Sequence, residues 1–347
     1  ILSSVFILIG FFGGKSLLHF QGSNIEVIQY ASDYFFTMLY GVFFMVLSIF
    51  FRSILSGEGD NLLPMKVLGL GTLINLILDP IFIYFYQIKG AALATVISQI
   101  FVFIIFSYIM IFKNHNYITL NLKHFNFNSN ILKRILQLGI PASLSMVTMS
   151  FGLFIYNAIL NLTPYSSNAI AAYSTAHRIE HLFFIPIISI ATCMVTLIGM
   201  FYGSKNFELI NKIFVYAMKF GLIISIIFGI LFYNSAEFML SLFTNDSEII
   251  SIGSNYFKIF SFAIPFITIT MISSRCMQGL GKAYPMFIIT CLRVVFINCT
   301  LAYYFINYLN KSLQYAWYSI LISCICSAII SYFWFTIIRK KRLNITL

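Results

Sequence analysis

Asp79 is the residue around which chemistry can be built in this sequence. It falls inside a long apolar run, roughly 21 Å along a helix that begins near residue 64. A carboxylate is costly there, so an acid within such a run marks a functional site by default. Asn75 precedes it by one helical turn and shares its face. The pair offers oxygen ligands to Na+ or a hydrogen-bonded place for a proton, because low-dielectric surroundings penalise the charged carboxylate. The alternative is an Asp paired structurally with a neighbouring helix. Pro80 follows and removes a backbone donor, so a kink is expected there. Pro141, Pro186 and Pro265 invite the same expectation in later runs.

Glu180 is the second acid inside an apolar run. His177-x-x-Glu180-His181 matches the H-x-x-E-H pattern of zinc proteases. Two histidines four residues apart share a helical face, as a zinc site requires. The third ligand is lacking, since the acids further along are few and lie in loops. No metal site, no cofactor and no enzyme are therefore expected. Three readings of Glu180 stay open: an ion pair with Arg178, a helix-packing cluster, or a substrate or proton site. Arg293 lies in mid-run, where a lone cation must face a cavity or a partner. It suits either an anionic substrate or a structural partner.

The elements that carry these residues are apolar throughout. Sixty per cent of the 347 residues are hydrophobic and 9% are charged, against about one quarter charged in soluble domains. Runs of roughly 20 apolar residues, enough to cross a bilayer, recur about ten times. They cover about 1–18, 32–51, 64–86, 90–112, 135–160, 168–201, 213–234, 254–275, 284–308 and 315–338. Short alternating segments of barrel type are absent. The expected fold is an all-α integral membrane protein. The stretch 113–134 is polar and Asn-rich and reads as a linker between a remainder of one lobe, 1–112, and a second lobe, 135–347.

The net charge of +11 is a topology signal and does not point to nucleic acid. All 21 Lys and Arg residues except Lys15, Lys89, Lys258, Lys311, Arg178 and Arg293 fall on one side of the alternating runs. Basic residues stay cytoplasmic, so the linker and the C-terminus are expected inside a cell membrane, a bacterial inner membrane in the simplest case. The six cysteines form no C-x-x-C pair and read as small buried apolar residues. The 39 Phe and 21 Tyr suit a cavity for soft cations, although lipid-facing aromatics must account for most of them.

The chain repeats itself. Tyr34-Phe35 matches Tyr256-Phe257, Gly57-Glu58-Gly59 matches Gly279-Leu280-Gly281, and Pro64-Met65 matches Pro285-Met286 after a slip of one residue. Each copy is a G-x-G turn followed by Pro-Met in the same orientation, the pattern of parallel repeats in transporters. The spacing sets Ile1 opposite Ile223. The first half is then short by roughly 90 residues, or two spans, of an expected twelve.

The same residues resemble a family. Arg52 to Pro64, Asn75-Leu-Ile-Leu-Asp79-Pro80 and Gly90-Ala-Ala-Leu-Ala-Thr95 look like the multidrug and toxic compound extrusion (MATE) transporters. Leu138-Gly-Ile-Pro141 resembles the opening of a half, and Ala169–Gly203 the second helix of a half, closest to the DinF-like branch. The resemblance implies a two-lobe bundle that exports cationic or amphipathic compounds in exchange for H+ or Na+, working as a monomer in the lipid bilayer. It assigns Asn75, Asp79 and Thr95 to a cation site completed by a first-helix acid absent from this sequence. Glu180, Arg178 and Arg293 remain candidates for a substrate or proton site. A lipid-linked saccharide flippase is the alternative transporter, and it calls for more cavity-facing basic residues than Arg178 and Arg293.

Overall fold

Where water is excluded, a backbone can bond only to itself, so each apolar run becomes a helix. The computed structural model describes residues 2–20, 25–112 and 127–343, and these contain helices and no strand. Eight of the helices are long and apolar enough to cross a membrane. The chain is an all-α, multi-pass integral membrane protein. It divides into two compact units, Ile1–Asn126 and Phe127–Leu347.

The first unit consists of α1 (Leu2–Phe20), α2 (Ile25–Gly57) and α3 (Leu62–Phe112). The apolar part of α3 runs for 50 residues. As one rod it would reach about 75 Å, more than twice the ~30 Å hydrocarbon core. It is broken instead at Gln87, whose backbone takes φ 50 and ψ −132. The left-handed region is costly for a residue with a Cβ. The two arms fold back on each other, and Gly90 makes the approach possible: a Cβ there would overlap the Phe82 carbonyl. The helix runs through Pro80 without losing helical backbone, so the break lies at Gln87 and not at the expected proline. Leu55, Val67, Val102, Phe106, Ile109 and Met110 form this unit's core at one end of the arms.

The second unit contains α4 (Ser129–Leu160), α5 (Ser166–Gly203), α6 (Phe207–Ser241), α7 (Ser247–Gly279), a helix over 284–308 and α10 (Gln314–Leu343). The helix over 284–308 starts as α8 (Tyr284–Cys291), widens to π-helix over Leu292–Cys299, returns as α9 (Thr300–Tyr303) and ends in a second π segment, Tyr304–Tyr308. Ten helices or helix arms thus stand where ten spans were read. α4 starts earlier than expected because the Asn128 side chain accepts from the Asn130 and Ile131 amides and caps it. Residues 129–134, read as linker, are therefore the first turns of α4. Residues 113–126 lie outside the described residues. Helical backbone also continues through Pro141, Pro186 and Pro265, whereas α6 departs from it at Ser235.

The repeat read from sequence is visible in the backbone. Gly59 has φ 92 and Gly281 φ 78. The Gly59 amide donates to Ser56 and the Asp60 amide to Leu55, at 3.1 and 3.0 Å. In the second unit Gly281 donates to Gln278 and Lys282 to Met277, both at 2.9 Å. Both turns are Schellman caps that need a left-handed residue, for which glycine carries no penalty.

Packing in the second unit rests on two clusters, one around Tyr156, Phe257 and Trp317 and one around Phe214, Cys276 and Phe335. Along α10, Ser319, Ser323, Ser327 and Ser331 recur every four residues and are all buried. Ser323, Ser327 and Ser331 turn their hydroxyls onto their own helix, while the Ser319 hydroxyl is shared between the Ala316 carbonyl and Asn298 Oδ1. Small residues at this spacing let membrane helices approach closely. Ser327 also meets Thr270 of α7 at 3.1 Å.

Candidate functional site

The reversal at Gln87 sets the first arm of α3 beside the second. Asn75 and Asp79 lie one turn apart on the first arm, and Asn75 Nδ2 donates to Asp79 Oδ1 at 3.2 Å. Thr95 comes from the second arm, with its Oγ1 3.5 Å from the same Asn75 nitrogen. The Thr95 hydroxyl itself donates to the Ala91 carbonyl at 3.0 Å, so its lone pairs point away from its own helix. The three residues named from sequence are thus in one place. All three are half-buried. Asp79 forms no ion pair with Lys or Arg among the described residues. A carboxylate, an amide and a hydroxyl together supply hard oxygen ligands of the kind that bind small cations.

The second unit encloses a cavity of about 400 Å³. Its walls come from α4, α5, α7, α10 and the helix over 284–308. Glu180 is 4% exposed. Its Oε2 lies 3.4 Å from His177 Nδ1, the Tyr256 hydroxyl stands beside the carboxylate, and Oε1 has no hydrogen-bond partner within 3.5 Å. The expected pair with Arg178 does not form. Arg178 is exposed and outside the cavity wall, because residues two apart on a helix point to nearly opposite sides, whereas residues three apart are neighbours. The i,i+3 spacing of His177 and Glu180 was the signal that identified the true partner.

Arg293 does line the cavity, on the π-helical segment, beside the Cys324 thiol. Arg275 lines it too, and its Nη1 donates to Gln278 Oε1 at 3.0 Å. One end is aromatic. Tyr156, Tyr173, Tyr256 and Trp317 stack in a cluster with ring centroids 5.0 to 6.4 Å apart. Tyr173 precedes His177 by one turn on α5, and their rings stack at 6.1 Å. This tyrosine cluster and Arg275 were not singled out from the sequence. The spacing of Tyr173, His177 and Glu180 on one helical face was the available clue. His177 and His181 have no third ligand: among the described residues no three His, Cys, Asp or Glu side chains could hold a metal.

A multi-pass helical chain with polar side chains collected inside each of two units has the architecture of a membrane transporter. The family model described as MatE matches residues 1–81 and 141–304, more than half of the chain. The chain belongs to the MatE family. The probable multidrug resistance protein NorM of Thermotoga maritima is 26% identical over 298 residues, which are 84% of this chain and 63% of that protein. The probable multidrug resistance protein YoeA of Bacillus subtilis is 23% identical over 350 residues, 99% of this chain and 75% of its own. A solved MOP superfamily transporter from Pyrococcus furiosus superposes with a TM-score of 0.95 at 28% identity, over 100% of this chain and 77% of that one.

Proposed function

We propose that this chain carries out secondary export of cationic or amphipathic compounds and is driven by inward H+ or Na+ at Asp79, Asn75 and Thr95. The observation that carries the reading is the meeting of these side chains across the two arms of α3. An unpaired acid inside a membrane helix is retained against its insertion cost. A partly buried carboxylate without a permanent counter-ion can load and release a small cation. The basic residues concentrated on one side of the spans support a cytoplasmic linker and C-terminus. The similarity to two probable multidrug resistance proteins supports the substrate class.

The test is exchange in vesicles bearing the protein, with H+ and Na+ gradients imposed separately. Asp79→Asn is expected to reduce export of a lipophilic cation to background, and the gradient that drives the unsubstituted protein identifies the coupling ion. Full export by Asp79→Asn would overturn the mechanism. The lipid-linked saccharide alternative gains little support. Arg178 leaves the cavity wall and Arg275 joins it, so the number of cavity-facing arginines does not rise above the two counted from sequence.

A further inference from the structure

The cavity of the second unit contains two opposite charges that do not meet. Glu180 is on α5, deeply buried and with one carboxylate oxygen unsatisfied. Arg293 is on the π-helical segment, and among the described residues no carboxylate lies within 4.0 Å of it. Glu180 and Arg293 line the same cavity, with Tyr173 in its wall as well. Opposite charges at low dielectric attract strongly, and each is costly alone.

Packing holds Arg293 in place. Gly152 of α4 lies so close to the next residue, Val294, that a Cβ there would overlap its side chain. Asn298 is tied to α10 by the Ser319 hydroxyl at 2.8 Å. The helix bearing Arg293 is therefore held against α4 and α10 just beyond the arginine. Arg275 is satisfied by Gln278; Arg293 has the Cys324 thiol beside it, a weak acceptor, and no carboxylate among the described residues.

We propose that this cavity is a bipolar site for an amphipathic zwitterion. The cationic group lies against Glu180, among the Tyr156, Tyr173 and Tyr256 side chains that line the cavity. The anionic group, a carboxylate or phosphate, takes the Arg293 fork. The apolar part lies along Met146, Met149 and Met271. Tyrosine faces attract alkylammonium groups, guanidinium matches carboxylate and phosphate geometry, and methionine adapts to varied apolar shapes. The volume lies within the usual range of small-molecule pockets. A purely cationic ligand would leave Arg293 unmet and repelled, and a purely anionic one would do the same to Glu180. A zwitterion satisfies both.

Equilibrium binding by the purified protein tests this without an ion gradient, so its outcome is separate from exchange at Asp79. The probes are dodecylphosphocholine, dodecyltrimethylammonium and dodecyl phosphate, titrated in a neutral maltoside detergent and read by tryptophan fluorescence, because Trp317 packs on Tyr173. The zwitterion is expected to bind about tenfold tighter than either singly charged chain. Arg293→Gln should weaken the zwitterion and the phosphate but not the ammonium. Glu180→Gln should weaken the zwitterion and the ammonium but not the phosphate. Should either glutamine variant fold poorly, Arg293→Lys and Glu180→Asp provide milder forms of the same test. In nanodiscs, competition by added zwitterionic phospholipid identifies a lipid occupant, and its absence a free solute. An ammonium chain that binds as tightly as the zwitterion, with no effect of the Arg293 substitutions, would overturn the proposal.

Discussion

The Ser319 hydroxyl donates to Asn298 Oδ1 at 2.8 Å, and this bond repeats in the second unit the link between Asn75 and Thr95 in the first. In each, an asparagine on one helix meets a hydroxyl on the next helix in the chain. One turn beyond Asn75 stands Asp79. One turn beyond Asn298 stands Ala302, fully buried. The second unit keeps the frame of the pair and lacks its acid. Ala302→Asp is therefore expected to destabilise by roughly 3 kcal/mol or more, because an unpaired charge enters a closed space. Thermal unfolding in detergent measures it; an unchanged melting temperature would contradict the burial.

The paired turns predict equal penalties. Gly59→Ala and Gly281→Ala each force a Cβ into left-handed backbone, at about 1–2 kcal/mol. Lys205 occupies the same kind of turn between α5 and α6 with φ 58. Lys205→Gly should therefore stabilise, by up to about 1 kcal/mol. Melting curves of the three variants should shift in these opposite directions.

Gly90→Ala should do more harm than either turn substitution. The added methyl has no room beside the Phe82 carbonyl, and a backbone atom cannot rotate away. The arms of α3 must separate, and the contact between Asn75 and Thr95 separates with them. Folded yield and export are expected to fall together. Gly139→Ala is the control: nothing lies within 4 Å of its added Cβ, and Ala is the better helix former by about 1 kcal/mol.

Thr95→Ala should separate stability from coupling. Its bond to Asn75 is long, at 3.5 Å, so its loss should cost no more than about 1 kcal/mol. Its hydroxyl is nevertheless one of the few oxygens in the cluster. Export should then need a higher concentration of the coupling ion while the melting temperature hardly moves. Equal export at every ion concentration would remove Thr95 from the site.

Glu180→Gln removes a buried charge while keeping the side-chain shape. The melting temperature is expected to rise, since an unsatisfied buried carboxylate is a net cost. A lower melting temperature would mean that the contact with His177 outweighs that cost.

Much of this was legible in the sequence because membrane helices obey a simple rule of length and polarity. The eight helices long and apolar enough to cross a membrane all fall on runs read from hydropathy, and the repeat was visible too, since glycine is favoured where the backbone turns left-handed. Asn75 and Asp79 were paired by their spacing, Thr95 joined them through a resemblance, and the fold supplies the geometry. Three things were hidden. Hydropathy reports apolar side chains, not backbone bonds, so the polar first turns of α4 read as linker. Proximity in sequence suggested Arg178 for Glu180, although helical rotation turns it away. The widened winding around Arg293 leaves no mark on residue type, and the position of that guanidinium in the cavity depends on it.

Gln87 also governs how the first unit can enter a bilayer. During synthesis the arm with Asp79 emerges first, and an acid at a helix centre costs about 2.5–3.5 kcal/mol to insert. The arm with Thr95 follows across a single residue of non-helical backbone, so little chain separates the acid from the hydroxyl that meets Asn75, and a hairpin of the two arms sets polar partners beside the acid.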